Sequence, residues 1–288
     1  MALSTSDFQA LRDYIRRICG MSIPDGKEYL IEQRLGPIAR KHGCADLSEF
    51  RNRMLGYDSF QLRDEVIDAI TTRETCFFRD EHPFEALREL VLPRLTACAP
   101  TGQGGVDSEE KTVSVWCVAS ASGQEPYSLA MLIDEFAGSR HQGAGLNAFS
   151  ILATDISNEA IRRARRGIYR RAEIERGLSA ERIEAYVSRC DESYQICPRL
   201  RGHVEFRRCN LAEPFVTLGR FDLVLCRNVL IYFDPPMQRS VIEQIDLMLN
   251  PGGYLLLGAA ESLYGVPVTL ESLRHRDTIL YRKPVAAT

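Results

Sequence analysis

Beyond Thr112 the chain alternates between two textures. Short, mainly apolar runs of strand length are separated by stretches whose apolar residues recur at helical spacing. The runs are Val113–Ala119, Phe149–Thr154, Val204–Arg208, Phe221–Cys226 and Tyr254–Gly258, with Thr278–Arg282 as an edge strand. The helices between them are Tyr127–Phe136, Glu159–Arg166 and Pro236–Leu249. Runs that are apolar throughout suit parallel strands covered on both faces. Strand–helix alternation of this kind predicts an open α/β sheet. In such a sheet ligands bind outside the carboxyl ends of the strands, in the loops that lead into helices. The stretch Leu178–Gly202 breaks the rhythm and reads as an insertion.

The first 75 residues carry no strand pattern. Ser6 is placed to cap a helix bearing Phe8, Leu11, Ile15 and Ile18 on one face, with Gly20 as its stop. A second helical stretch, Lys27–His42, contains Pro37, which should bend or interrupt it. Ser48 opens a third, and Leu62, Val66, Ile67 and Ile70 mark a fourth. Phe84–Leu95 is one more amphipathic helix. Ala97–Thr112, rich in Gly and polar residues, reads as a flexible linker. The expected organisation is a helical domain over 1–80, a connecting helix and linker over 81–112, and a sheet domain over 113–288 with an insertion at 178–202. A length of 288 residues agrees with two domains at roughly 150 residues each.

The balance of 36 basic and 39 acidic residues excludes a strongly basic nucleic-acid binder. No run approaches the roughly 18 apolar residues of a membrane span. The start, MALSTSDFQA, lacks a basic segment followed by an apolar one, so no export signal is expected. Nine cysteines, scattered and without a C-x-x-C pair, point to reduced thiols in the cytoplasm rather than to disulfides or a metal site.

Each strand-end loop has a plain reading beside a functional one. Ser120 to Ser128 joins the first strand to its helix with small residues that would let a ligand approach the backbone, or it is an ordinary turn. It contains no G-x-G-x-x-G, which disfavours a dinucleotide and hence a nicotinamide oxidoreductase. Asp155 ends the second strand; its carboxylate suits two ribose hydroxyls or the cap of the next helix. Asn210 and Leu211 could read an adenine edge and face, or form a simple turn. Arg227 and Asn228 directly follow a buried strand, an unusual position that suggests a ligand contact. Asp234-Pro235-Pro236 is followed by Met237 rather than an aromatic, so it reads as a helix start and not as the motif of amino-methylating nucleic-acid enzymes. The stretch from Arg162 to Arg171, with six arginines and no acid, is either a solvated face or a surface that steers an acidic partner.

In order, the blocks TTRETCFFRD, VASASGQEPYSLAM, ILATDIS, VEFRRCNL, FDLVLCRNVLIYFD and LNPGGYLLLGAAES resemble the chemotaxis receptor methyltransferases, the CheR family of protein-glutamate O-methyltransferases. Any one block is weak; the ordered set is highly specific. The resemblance implies a small all-α N-terminal domain and a Rossmann-like class I sheet domain that binds S-adenosylmethionine. It also implies a small antiparallel β-subdomain, which would account for the irregular insertion. Matching positions give Arg73, Thr75, Arg79, Glu125, Asp155, Asn210, Leu211, Arg227 and Asn228 as cofactor contacts. Arg73 stands where the family usually has Asn, and could reach the cofactor, reach the substrate or point away. Gln124 replaces the first of two acids, but Glu125 is kept.

The implied reaction is methyl transfer to glutamate side chains on the cytoplasmic helical domains of chemoreceptors. A solvent-exposed glutamate, with a pKa near 4.3, is already ionised at neutral pH, so no general base is needed. That agrees with five histidines that all lie outside the blocks. Arg79 is the candidate for holding the acceptor carboxylate, and Tyr232 for orienting it. A monomer with no metal, no nucleic-acid partner and no membrane insertion is expected. The alternative is a module of the same fold that senses the cofactor without methylating.

Overall fold

A computed structural model of the chain describes residues 3–56, 59–97, 112–140 and 145–285. Most of the linker Ala97–Thr112 therefore lies outside the described residues.

Four helices form the N-terminal unit: α1 (Thr5–Cys19), α2 (Glu28–Lys41), α3 (Leu47–Leu55) and α4 (Ser59–Ile70). Leu11, Ile15, Ile31, Leu35, Phe50, Met54, Val66 and Ile67 meet in one core. The N-cap of α1 is Ser4, not Ser6: its hydroxyl accepts from the Asp7 amide at 3.1 Å. Asp46, not Ser48, caps α3, accepting from the Glu49 amide at 2.8 Å. Ser48 instead donates to Asp7 at 2.6 Å, tying α3 to α1. Gly20 ends α1 in the left-handed conformation at φ 74°, as its position predicts. Helix α2 runs through Pro37 without a break.

After α4 the chain crosses the mouth of the sheet domain as an irregular segment. It then forms α5 (His82–Ala86), a π-helical turn at Leu87–Val91 and α6 (Leu92–Ala97). The sheet domain continues with β1 (Val113–Val118), α7 (Gln124–Arg140), β2 (Phe149–Asp155) and α8 (Asn158–Arg166). A side unit follows: β3 (Ile168–Arg170), α9 (Arg171–Glu175), α10 (Ala180–Tyr186), β4 (Val187–Cys190), β5 (Ser193–Ile196) and α11 (Pro198–His203). The chain then returns through β6 (Val204–Arg208), β7 (Phe221–Cys226), α12 (Pro235–Met248), β8 (Leu249–Leu257), β9 (Glu271–His275) and β10 (Thr278–Arg282).

The main sheet has the order β6-β2-β1-β7-β8-β10-β9. Its first five strands are parallel; β10 runs antiparallel to both β8 and β9. Val115 pairs with Ile151 on one side and Leu223 on the other. Alternate residues of the central strands feed two cores: Val115, Cys117, Leu223 and Leu225 on one face, Trp116, Val118, Val224 and Cys226 on the other. This two-sided burial is why the strands read as unbroken apolar runs.

The side unit is a three-stranded antiparallel sheet, β3-β5-β4. It starts at Ile168, ten residues before the expected insertion at 178–202, because Gly167 ends α8 in the left-handed conformation and releases a strand. The six-arginine stretch is therefore split between α8, β3 and α9. Arg163 and Arg170 pair with Glu173, Arg171 with Glu175, and Arg165 donates to the Phe206 carbonyl. Two acids just beyond the stretch thus pair with three of its arginines, while Arg162, Arg165, Arg166, Arg170 and Arg171 stay exposed.

The helical unit is latched onto the sheet domain. Met21 forms an antiparallel bridge with Phe233, and the Ser22 amide donates to the Tyr232 carbonyl at 2.8 Å. Arg63 pairs with Glu213 at 2.6 Å, and Asn158 Nδ2 donates to Asp64 at 3.0 Å. Among the described residues no helix is long and apolar enough to cross a membrane.

Candidate active site

The strand order reverses between β1 and β7, and a cleft opens beyond the carboxyl ends of those strands. It encloses roughly 1000 Å³ including its open mouth. All ten sequence-predicted site residues line it: Arg73, Thr75, Arg79, Glu125, Asp155, Asn210, Leu211, Arg227, Asn228 and Tyr232.

The loop after β1 forms the floor. Ala119 and Ala121 both hold positive φ, at 50° and 48°, and Gly123 stands at 94°. A Cβ on Gly123 would lie 2.9 Å from the Ala164 Cβ, so α8 requires glycine there. Strain at two non-glycine positions, Ala119 and Ala121, is costly, and here it turns the loop into the cleft. Ser120 faces this floor with its Oγ buried and without a hydrogen-bond partner. Gln124 is buried with its Oε1 accepting from Ser122 at 2.8 Å, an environment that suits a neutral amide.

Asp155 joins two loops: Oδ2 accepts from the Ala121 amide at 2.9 Å and Oδ1 from the Ser157 amide at 2.8 Å. Burial pushes its carboxyl up, against these two amides and the nearby Arg73. Ser157 itself, not Asp155, caps α8. Each Asp155 oxygen keeps a lone pair for a ligand. Asn210 makes the turn contacts of its plain reading: Oδ1 accepts from the Ala212 amide at 3.1 Å. Its Nδ2 donates at 2.9 Å to the Ile18 carbonyl of α1, so the turn is also an anchor for the helical unit. Leu211 supplies an apolar wall.

Arg227 is only 1% exposed at its side chain. It donates to Glu125 Oε2 at 2.9 Å, to Asp80 at 2.8 Å and to the Arg79 carbonyl at 2.9 Å. Its two terminal nitrogens are thus committed to the protein and make the residue a keystone, while its buried Nε has no partner. Burial pushes the Glu125 carboxyl up, opposed by Arg227 and Arg79. The keystone holds a distorted segment: Phe78, Asp80 and Glu81 have φ of 45°, 68° and 44°. Phe78 is further fixed by its amide donating to Ser128 Oγ at 2.9 Å. Arg79 projects from this segment, half-buried, donating to the Glu74 carbonyl at 3.3 Å. Arg73 lies on the rim, braced by Glu159 at 2.7 Å and the Asp68 carbonyl at 2.7 Å.

Sequence reasoning missed two contributions. Cys19 and Met21 of the helical unit line the cleft. Their position depends on domain docking, for which no local pattern exists. Glu261 was missed as well, although a lone acid after the last buried strand was a signal.

The sheet order with one antiparallel strand set in from the edge, the small-residue loop after β1 and the acid closing β2 define a Rossmann-like sheet domain of the methyltransferase class. Residues 73–279 match the model of the CheR methyltransferase, SAM binding domain, and residues 6–71 that of the CheR methyltransferase, all-alpha domain. The chain belongs to the CheR methyltransferase family. It is 37% identical over 283 residues to chemotaxis protein methyltransferase Cher2 of Pseudomonas putida, covering 98% of this chain and 99% of that one. It is 39% identical over 285 residues to a chemotaxis protein methyltransferase of Vibrio parahaemolyticus, covering 98% of each. Among solved structures it is similar to the N-methyltransferase NodS of Bradyrhizobium japonicum, at 18% identity and TM-score 0.34, covering 71% of this chain and 99% of that one.

The cleft suits S-adenosylmethionine, which carries a sulfonium, an ammonium, ribose hydroxyls and an adenine. Glu125 and Asp155 supply carboxylate oxygens, the orphaned Ser120 Oγ a hydroxyl, and Leu211 and Val229 apolar surface.

Proposed function

We propose that the chain transfers a methyl group from S-adenosylmethionine to glutamate side chains of chemoreceptors, forming methyl esters. Its expected acceptors are the cytoplasmic helical domains of those receptors, its compartment the cytoplasm and its working form a monomer. The observation that carries the reading is the composition of the cleft. A cation, Arg79, and a phenol, Tyr232, line it, while no histidine is among its described lining residues. A carboxylate acceptor suits such a site, because it needs a partner for its charge and no base to remove a proton.

When bound, S-adenosylmethionine supplies an electrophilic methyl carbon on a sulfonium sulfur. Transfer to a carboxylate oxygen would break the carbon–sulfur bond with its electron pair kept on sulfur, and would require no proton to move. The chain's own part is positioning and exclusion of water. Glu125, fixed by Arg227, offers negative charge to the cofactor's cationic end. Asp155 offers oxygen acceptors to the ribose, and Asn210 and Leu211 flank the base. Thr75, Arg73 and Asn228, with Arg79 and Arg227, complete the cofactor contacts. Arg79 orients the acceptor carboxylate more than it neutralises it, since too tight an ion pair would blunt the nucleophile. Tyr232 directs it toward the methyl group.

Tritiated S-adenosylmethionine incubated with receptor cytoplasmic fragments tests the proposal. Label on the receptor that mild alkali releases as methanol is the expected result. Cofactor binding without labelled receptor would favour a sensing module, and alkali-stable label would rule out the ester.

A further inference from the structure

The loop that follows β7 carries Asn228, Val229 and Tyr232 into the cleft. Asn228 stands at φ 58°, in the left-handed region, and this turns three successive backbone amides toward one point. Such a nest is a ready anion site. Here it is filled from within the chain. Glu261 Oε2 accepts from the Asn228 amide at 2.8 Å, and Oε1 from the Val229 and Leu230 amides at 2.9 and 2.7 Å. Oε2 also accepts from the Gly258 amide at 2.8 Å. One carboxylate thus joins the end of β8 to the start of the β7 loop with four charge-assisted bonds. Gly258 is needed for the fit: a Cβ there would lie 2.7 Å from Glu261 Oε2 and 2.9 Å from the Asn228 nitrogen. The far end of the loop is held separately. Gln238 Nε2 donates to the Leu230 and Phe233 carbonyls at 3.0 and 2.9 Å, and the Ser22 amide donates to Tyr232.

We propose that Glu261 is a positioning residue for methyl transfer. It is not among the residues that line the cleft, and it acts through the backbone of Asn228, Val229 and Leu230 to set where Asn228 and Tyr232 stand. This rests on the proposed role of Tyr232 at the acceptor. The demand on Glu261 is chemical as well as steric: all four partners are donors, so only an oxygen at both terminal positions satisfies them. Glutamine in its place would turn one terminus into a donor facing donors.

The test compares Glu261→Gln, Glu261→Asp and Gly258→Ala with the parent chain. The readouts are kcat and KM for a receptor fragment, the Kd for S-adenosylhomocysteine and the thermal midpoint. kcat is normalised to the number of S-adenosylhomocysteine-binding sites, a quantity that a purely structural role would leave alone. Glu261→Gln is expected to lower normalised kcat by about tenfold or more, since small misplacements near the reacting atoms are costly. The Kd should weaken by about threefold. Gly258→Ala keeps the charge but displaces the carboxylate, and should reproduce the loss; Glu261→Asp should fall between. Should Glu261→Gln fail to fold, Gly258→Ala carries the same comparison. Normalised kcat within about twofold of the parent in both variants would overturn the proposal. If the parent labels no receptor, it is the proposed function that falls. The Kd then decides on Glu261, and an unchanged Kd in both variants would overturn its role.

Discussion

Arg227 and Glu125 form a buried ion pair with N···O at 2.9 Å, made by the residue that follows β7 and the first turn of α7. The same guanidinium reaches Asp80 and the Arg79 carbonyl, so one side chain ties α7, β7 and the distorted segment before α5. Arg227→Ala leaves Glu125 buried without its partner. It is expected to cost about 3–5 kcal/mol in denaturant unfolding. Arg227→Lys keeps the charge but gathers its donors on one nitrogen, where the arginine serves its partners from two, and should lie between. Equal unfolding midpoints for all three chains would remove the keystone role.

Arg227 holds the Arg79 backbone oxygen, and the half-buried Arg79 side chain lines the cleft with one weak bond, to the Glu74 carbonyl at 3.3 Å. Arg79→Ala should keep cofactor affinity within a few-fold while lowering turnover on a receptor fragment by about a hundredfold. Calorimetry with S-adenosylhomocysteine and initial rates separate the two effects. Unchanged turnover would take the acceptor role from Arg79.

Burial raises the Glu125 carboxyl above the ordinary glutamate range, despite the opposing arginines. The free protein therefore favours its protonated form at a higher pH than an exposed glutamate would. A cationic ligand needs the ionised form, so S-adenosylmethionine affinity should fall as the pH drops, starting above the ordinary glutamate range. Calorimetric titrations from about pH 8 to pH 5 check this. Glu125→Gln should bind weakly and lose much of that pH dependence, the remainder coming from Asp155, whose carboxyl burial also raises; a parent profile as flat as the variant's would contradict the assignment.

Asp134 of α7 accepts from Tyr186 at 3.0 Å and from Arg199, joining the side sheet's flanking helices to the main domain. The bond from Arg199, first, and that from Tyr186 hold its carboxyl below the ordinary range. A lowered folded-state pKa means the contribution is present above the unfolded value near 4 and is lost as the pH falls through the folded one. Amide protection across 168–203 should thus drop on acidification below about pH 4. Asp134→Asn should start less protected and show less of that drop. A drop of the same size in both chains would place its cause elsewhere.

What the sequence made legible follows from burial. Strands covered on both faces, such as Val113–Val118 and Phe221–Cys226, are apolar at nearly every position and stand out. The edge strand Glu271–His275 is largely exposed and alternates no apolar face, so it escaped notice. Cap positions moved by two residues because Ser4 and Ser6, or Asp46 and Ser48, are chemically equivalent until a third residue such as Asp7 chooses between them. Most of the cleft residues were legible because they follow strands; Arg73, Thr75 and Arg79, between α4 and α5, were legible only through the resemblance. Their division of labour was not: Arg227 looked like a ligand contact, and its three protein bonds come from segments far apart in the chain. Glu261 accepts from backbone amides, which any residue carries, so its place just after β8 was its one mark in the sequence.

Delivery of a methyl group from this cleft to a carboxylate oxygen is read by tandem mass spectrometry of a receptor fragment, after reaction with the parent chain and S-adenosylmethionine. One added methyl is expected on the side-chain carboxyl of glutamates along one helical face, absent when those glutamates are replaced by alanine. Methyl groups on lysine, histidine or a terminal amine, or bound cofactor with an unmodified receptor, would contradict it.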